Sequence, residues 1–187
     1  MTKSKATPVT RPFLPWVTFS IFLITLLCYA GHPEGWPFEF ALLRIHPWTL
    51  IGSLVSHSSL PHLMGNMLYL ILFGPVVEKR LGTARYAALY LCAGIASIWG
   101  FGVFYPTDSL VGASGAISGL IAVYPFVQTN WISRLIAGVC AGYLLFGEFT
   151  QALQGPFGRV ANLGHVAGAV GGLLMFCYYR ALHARTR

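Results

Sequence analysis

Acidic residues are nearly missing from this chain. Asp and Glu number five in 187 residues, against twelve Lys and Arg, and all charged residues together make up 9%. A domain that folds in water carries about 25% charged residues, because its surface must be solvated. The shortage excludes a soluble globular enzyme, and the mean hydropathy of +0.66 excludes a disordered tail protein. Cysteine is also sparse. Cys28, Cys92, Cys140 and Cys177 have no CxxC spacing, which excludes a disulfide-stapled secreted scaffold. Each is read as a small hydrophobe buried in a helix. Motifs for several chemistries are absent too. There is no HExxH and no phosphate-binding loop, and Gly112-Ala113-Ser114-Gly115-Ala116 lacks the second glycine of a GxSxG elbow. No metal and no cofactor is implied.

What is present is 56% hydrophobic and 14% aromatic residues, the composition of an integral membrane protein. Uncharged runs cover Pro12–Pro33, Ile45–Val77, Tyr86–Thr107, Ser109–Ser133, Leu135–Gly147 and Val160–Tyr179. A spanning helix needs ~20 mostly apolar residues. Five runs meet that length, and the short one reaches it from Trp131 to Phe149 if Arg134 snorkels. The runs predict an all-α bundle of six transmembrane helices, at 13–31, 60–79, 86–105, 112–129, 131–149 and 162–181. The first follows basic residues as a signal peptide would, but five further spans follow it, so it is read as a retained helix. The chain reads as one membrane domain over 1–187 with short tails at 1–12 and 182–187. The stretch His32–Ser59, with Trp36, Trp48 and the polar string Ser56-His57-Ser58-Ser59, reads as a partly embedded loop at the interface.

Six spans put both termini on one side. Ten of the twelve basic residues fall on that side and only Arg44 and Arg159 on the other, so the termini are expected in the cytoplasm. The same dispersal along one membrane face argues against a nucleic-acid partner, despite a net charge of +7.

Polar side chains within hydrocarbon are costly and mark function by default. His62, Asn66, Ser114 and His165 all lie near the outer ends of inward-running spans, so they share a depth although they are far apart in sequence. His62 and Asn66 are four apart and face the same way. About 16–20 residues of span 4 lie below Ser114, or ~24–30 Å of helix. Gly164, Gly168 and Gly172 recur every four residues, as do Gly115 and Gly119, a spacing that lets two helices approach closely. Such an approach would bring Ser114 to His165. A histidine that accepts the serine proton makes the serine a nucleophile, and the first N–H groups of span 4, with Asn66 and His62, are donors for an oxyanion. Each residue taken singly has a plainer reading: a serine bonding back to its own helix, a histidine in packing, a His–Asn pair lining an ion path. The run Val166–Met175 has no polar side chain below the cluster, which argues against a through-path.

The chain resembles the rhomboid intramembrane serine proteases in their minimal six-helix bacterial form. Three blocks carry the resemblance: His57-Ser58-Ser59-Leu60-Pro61-His62-Leu63-Met64-Gly65-Asn66 continuing to Glu78-Lys79-Arg80-Leu81-Gly82, then Gly112-Ala113-Ser114-Gly115, then Gly164-His165-Val166-Ala167-Gly168. The resemblance implies Ser114 as nucleophile and His165 as general base. It also implies an oxyanion site from His62, Asn66 and the Ser114 backbone N–H, opened by a turn at Gly112. His57 would support that site, Gly115 and Gly168 would let the helices meet, and Glu78 would be structural. The implied reaction is hydrolysis of transmembrane protein substrates near the outer face, in a bacterial inner membrane, with small residues at the cut. The many small residues of span 5 point to lateral substrate entry between spans 2 and 5. Two positions depart from the family pattern: Ser118 stands where some members place an aromatic, and Thr49 follows Trp48 where a Trp–Arg pair is often found. A catalytically silent relative that binds or escorts client helices is the alternative.

Overall fold

The computed structural model describes residues 13–33, 48–105, 111–154 and 156–185; the side chains of 147–161 are outside that description. The expected tail at 1–12, the loop residues 34–47 with Arg44, and Asp108, Glu148 and Arg159 therefore fall outside it. The described residues form helices and no strand: α1 (Trp16–Gly31), α2 (Trp48–Val55), α3 (Leu60–Leu81), α4 (Thr83–Gly102), α5 (Ser114–Val123) with a 3-10 turn at Tyr124–Val127, α6 (Trp131–Gln154) and α7 (Pro156–Arg185).

Helix α3 is long and apolar enough to cross a membrane by length and composition, and α1, α5 with its 3-10 turn, and Trp131–Phe146 of α6 are shorter apolar helices. Large apolar side chains cover the outer faces, among them Leu68 at 57% exposure, Trp99 at 52%, Val139 at 65% and Leu174 at 67%. Water would penalise such a surface and lipid would not.

Two expectations need correction. The stretch expected as an interfacial loop contains a helix, α2. Its Leu54 packs against Gly94 of α4 while Trp48 and Ile51 face outward. Eight residues are too few for a periodic pattern to stand out. The cysteines are all free, yet Cys140 and Cys177 are exposed on the outer faces rather than buried.

Helix α5 is the centre. Every residue from Gly115 to Val123 is buried, as expected of a helix that is apolar all round. Pro125 ends its α-helical part, so Ser114 stands only about 23 Å above the end of the 3-10 turn. Helix α7 packs along α4 and α5, and glycines set its distance. A Cβ on Gly168 would fall on the Gly115 carbonyl oxygen, and one on Gly172 would lie 2.6 Å from Gly119 Cα.

Helix α1 begins without a side-chain cap of its own. Glu78 of α3 supplies one from 60 residues away. Its carboxylate accepts from Val17 N at 3.0 Å, Thr18 N at 2.9 Å and Thr18 Oγ1 at 2.7 Å. The Thr18 proton is thereby used, and the Tyr86 hydroxyl can donate to Thr18 Oγ1 at 3.1 Å. Thr18, Glu78 and Tyr86 are all fully buried. A carboxylate at a helix N-terminus satisfies orphan N–H groups and complements the dipole. Glu78→Ala would leave buried donors unpaired, at about 2–4 kcal/mol. The thermal midpoint is expected to fall by about 5–10 °C, read by scanning fluorimetry in detergent; an unchanged midpoint would show that the clamp carries no stability.

Candidate active site

Three segments converge at one end of α5. The turn before it holds Gly112 at φ +119°, a backbone conformation that side-chain-bearing residues rarely adopt. Gly112 N donates to Ser53 O at 2.8 Å, which ties the turn to α2. Ser114 is the first residue of α5, so its backbone N–H has no helical partner. From α7, His165 Nε2 lies 2.7 Å from Ser114 Oγ, across 51 residues of sequence.

The start of α3 forms the third wall. Ser59 caps it, accepting from His62 N at 3.4 Å. The ring of His62 and the amide of Asn66 close over Gly112: a Cβ there would come within 2.8 Å of His62 Nε2 and 3.4 Å of Asn66 Nδ2. The glycine is therefore required twice, by its φ and by these two neighbours. Behind them, Asn66 Nδ2 donates to His57 Nε2 at 2.9 Å, and His57 Nδ1–H donates to Val55 O at 3.2 Å. This assigns the His57 tautomer: Nδ1 carries the proton and Nε2 accepts. Ser58 Oγ is 3.4 Å from His62 Nδ1, and the His57 and His62 rings meet edge to face at 5.0 Å.

His57 lies ahead of α3 and is 1% exposed. Burial, and then the nearby His62, push it down to about 4. It is neutral at pH 7 and free to accept from Asn66. Between 6.5 and about 4 the unfolded chain takes up a proton that folded His57 refuses, so stability falls as pH drops through that window. The thermal midpoint should decline from pH 7 to pH 4, and His57→Gln should flatten that decline. An equal slope in both proteins would remove His57 as its source.

A cavity of about 240 Å³ opens beside Ser114 and His165. Pro61, Gly65 and Tyr69 of α3, Ile117, Ser118 and Ile121 of α5, and Leu144 and Leu145 of α6 line it. It thus lies between α3 and α6, which share no extensive packing among the described residues. Ser118 donates to Ser114 O at 2.9 Å, and its small side chain leaves the wall below the serine open.

The structure therefore brings Ser114, His165, His62, Asn66, His57 and Gly112 into one place, with Gly115 and Gly168 in contact behind it. The sequence reading missed Ser53 and Val55, which act through backbone carbonyls and leave no side-chain signal. It also missed Tyr69, one turn beyond Asn66 on the same face, which helical spacing could have found. Among the described residues no cluster of His, Cys, Asp or Glu could hold a metal ion.

A family model described as Rhomboid domain matches residues 44–182. A Bacillus subtilis (strain 168) protein named "Putative rhomboid protease YdcA" is 33% identical over 164 residues, covering 86% of this chain and 80% of that one. Rhomboid protease GluP of the same organism is 30% identical over 125 residues, 67% of this chain and 24% of its own. Rhomboid protease GlpG of Photorhabdus laumondii is 27% identical over 172 residues, 85% of this chain and 60% of its own. The chain thus spans most of the first relative but about a quarter of the second and three fifths of the third.

Proposed function

The chain belongs to the rhomboid family, and from that premise we propose that it is a serine endopeptidase that cuts transmembrane helices within the bilayer, using Ser114 and His165. Six of its helices cross the membrane in this reading, all but the short α2, with both termini in the cytoplasm. The observation that carries the reaction is the 2.7 Å contact between Ser114 Oγ and His165 Nε2.

Ser114 Oγ attacks the scissile carbonyl as His165 Nε2 takes its proton. The carbonyl oxygen becomes an oxyanion next to Gly112. There it meets the Ser114 N–H at the positive end of α5, one Asn66 amide proton and His62 Nε2–H. Asn66 has two amide protons, so the one given to His57 leaves the other for the oxyanion. A Ser58 hydroxyl donated to His62 Nδ1 keeps the His62 proton on Nε2, where it is needed. The tetrahedral intermediate then collapses. The C–N bond breaks, His165 returns the proton to the leaving amine, and an ester joins the substrate acyl group to Ser114. Water activated by His165 hydrolyses that ester.

The substrate must expose a carbonyl that its own helix would otherwise occupy, so helix-breaking residues near the cut should speed cleavage. The cavity between α3 and α6 supports entry from the side between those helices.

The test uses purified protein in liposomes with a fluorogenic transmembrane-segment substrate and a fluorophosphonate probe. Cleavage together with Ser114-dependent labelling is expected. Labelling without cleavage of any transmembrane segment would instead favour a client-binding protein. Asn66→Ala removes one oxyanion donor and should lower kcat by about 10²–10³-fold with a small change in KM. An unchanged kcat would take Asn66 out of the oxyanion site.

A further inference from the structure

At the opposite end of α3 from Asn66, about 20 Å along the helix, a second cavity has a different character. It is a groove of about 390 Å³ between the residues that lead into α1 and the last turns of α3. Phe13, Pro15, Pro75 and Val76 form an apolar wall, and Lys79 and Arg80 stand at its mouth. Both cations are exposed. Their natural partner in sequence, Glu78, is the one acid whose side chain is described, and its oxygens are taken by Val17 and Thr18. Nearby Arg85 is held over the Tyr179 ring, 6.0 Å from its centroid, and does not share this mouth.

An occupant must therefore bring negative charge and an apolar body together. The chain's own residues 1–12 fail the first condition, since they carry Lys3, Lys5 and Arg11 and no acid. A lipid with a phosphate and an acyl chain meets both, and basic pockets between membrane helices on the cytoplasmic side suit anionic headgroups. We propose that the groove binds an anionic glycerophospholipid, its phosphate at Lys79 and Arg80 and its acyl chain along Phe13, Pro75 and Val76. The inference rests on the transmembrane reading of α3 and not on proteolysis. Its consequence is mechanical: the lipid bridges α1 and α3 across the seam that Glu78 clamps from inside.

The experiment is scanning fluorimetry of the full chain in dodecylmaltoside with dioleoylphosphatidylglycerol, dioleoylphosphatidylcholine or inorganic phosphate added. Phosphatidylglycerol should raise the midpoint by about 5 °C or more, and the other two should not. The shift should vanish in Lys79→Gln/Arg80→Gln and persist in Arg180→Gln/Arg185→Gln, which loses equal charge elsewhere. Val76→Trp, which fills the acyl wall but keeps both cations, should also lose it, so the proposal does not depend on one variant folding. Equal shifts in both charge-loss variants would reduce the effect to general attraction. A shift with inorganic phosphate would remove the acyl chain from the site. No shift in the wild type, in protein that stays dispersed only in detergent, would overturn the lipid site and leave the membrane reading standing. A protein dispersed without detergent would overturn both.

Discussion

Ser114→Ala should abolish cleavage of a transmembrane substrate, by about 10³-fold or more, with folding intact. In the proposed mechanism the hydroxyl removed is the one that bonds to the acyl group, and no other hydroxyl is placed to replace it. Ser118 lines the same cavity, but its proton is donated to Ser114 O and it sits one turn further along α5. His165→Ala should cost as much, and the double variant should cost little more than either alone, because the two act as a unit. Fluorophosphonate labelling should disappear in Ser114→Ala. The outcome that sinks the mechanism is cleavage surviving Ser114→Ala in protein free of contaminating protease.

The second large effect is expected where no catalytic atom is touched. Gly168→Val should lose activity nearly as completely as His165→Ala and should lower the thermal midpoint as well. The new Cβ would overlap the Gly115 carbonyl, which is backbone in the first turn of the buried helix α5 and cannot swing aside. Helix α7 must then move off α5, and overpacking of this kind costs about 1–3 kcal/mol or more. His165 lies three residues from Gly168 on α7, and Ser114 lies next to Gly115 on α5, so the same displacement opens their 2.7 Å contact. Gly138→Ala and Gly142→Ala on α6 are the matched controls, because a Cβ at either meets nothing within 4 Å. They should be neutral or slightly stabilising. Full activity in Gly168→Val, measured beside these controls, would show that the spacing of α5 and α7 does not govern the site.

Legibility differed from residue to residue, and the differences have physical causes. The long helices stood out because uncharged runs near ~20 residues have few readings other than a span. Helix α2 did not, since its eight residues lie in a longer apolar stretch with no break of their own. The change from α-helix to 3-10 turn at the end of α5 is not legible in the sequence, because apolar character continues past Val123 while Pro125 tightens the backbone. The exposure of Cys140 and Cys177 is not legible either, because composition reports that a side chain is apolar, not which way its helix faces.

By itself the sequence determined the solvent of this protein, its all-helical class and the short set of polar residues that had to share one depth. Those conclusions follow from hydrophobicity and helical period, which are local. Only the tertiary structure decided that Ser114 meets His165 through Nε2, that Asn66 is oriented by His57 and the Val55 carbonyl, and that Glu78 caps a helix 60 residues away. The Ser114–His165 and Glu78–Thr18 contacts join segments 51 and 60 residues apart. The His57 contacts are close in sequence but depend on how the chain turns between α2 and α3, and no local pattern encodes distances of either kind.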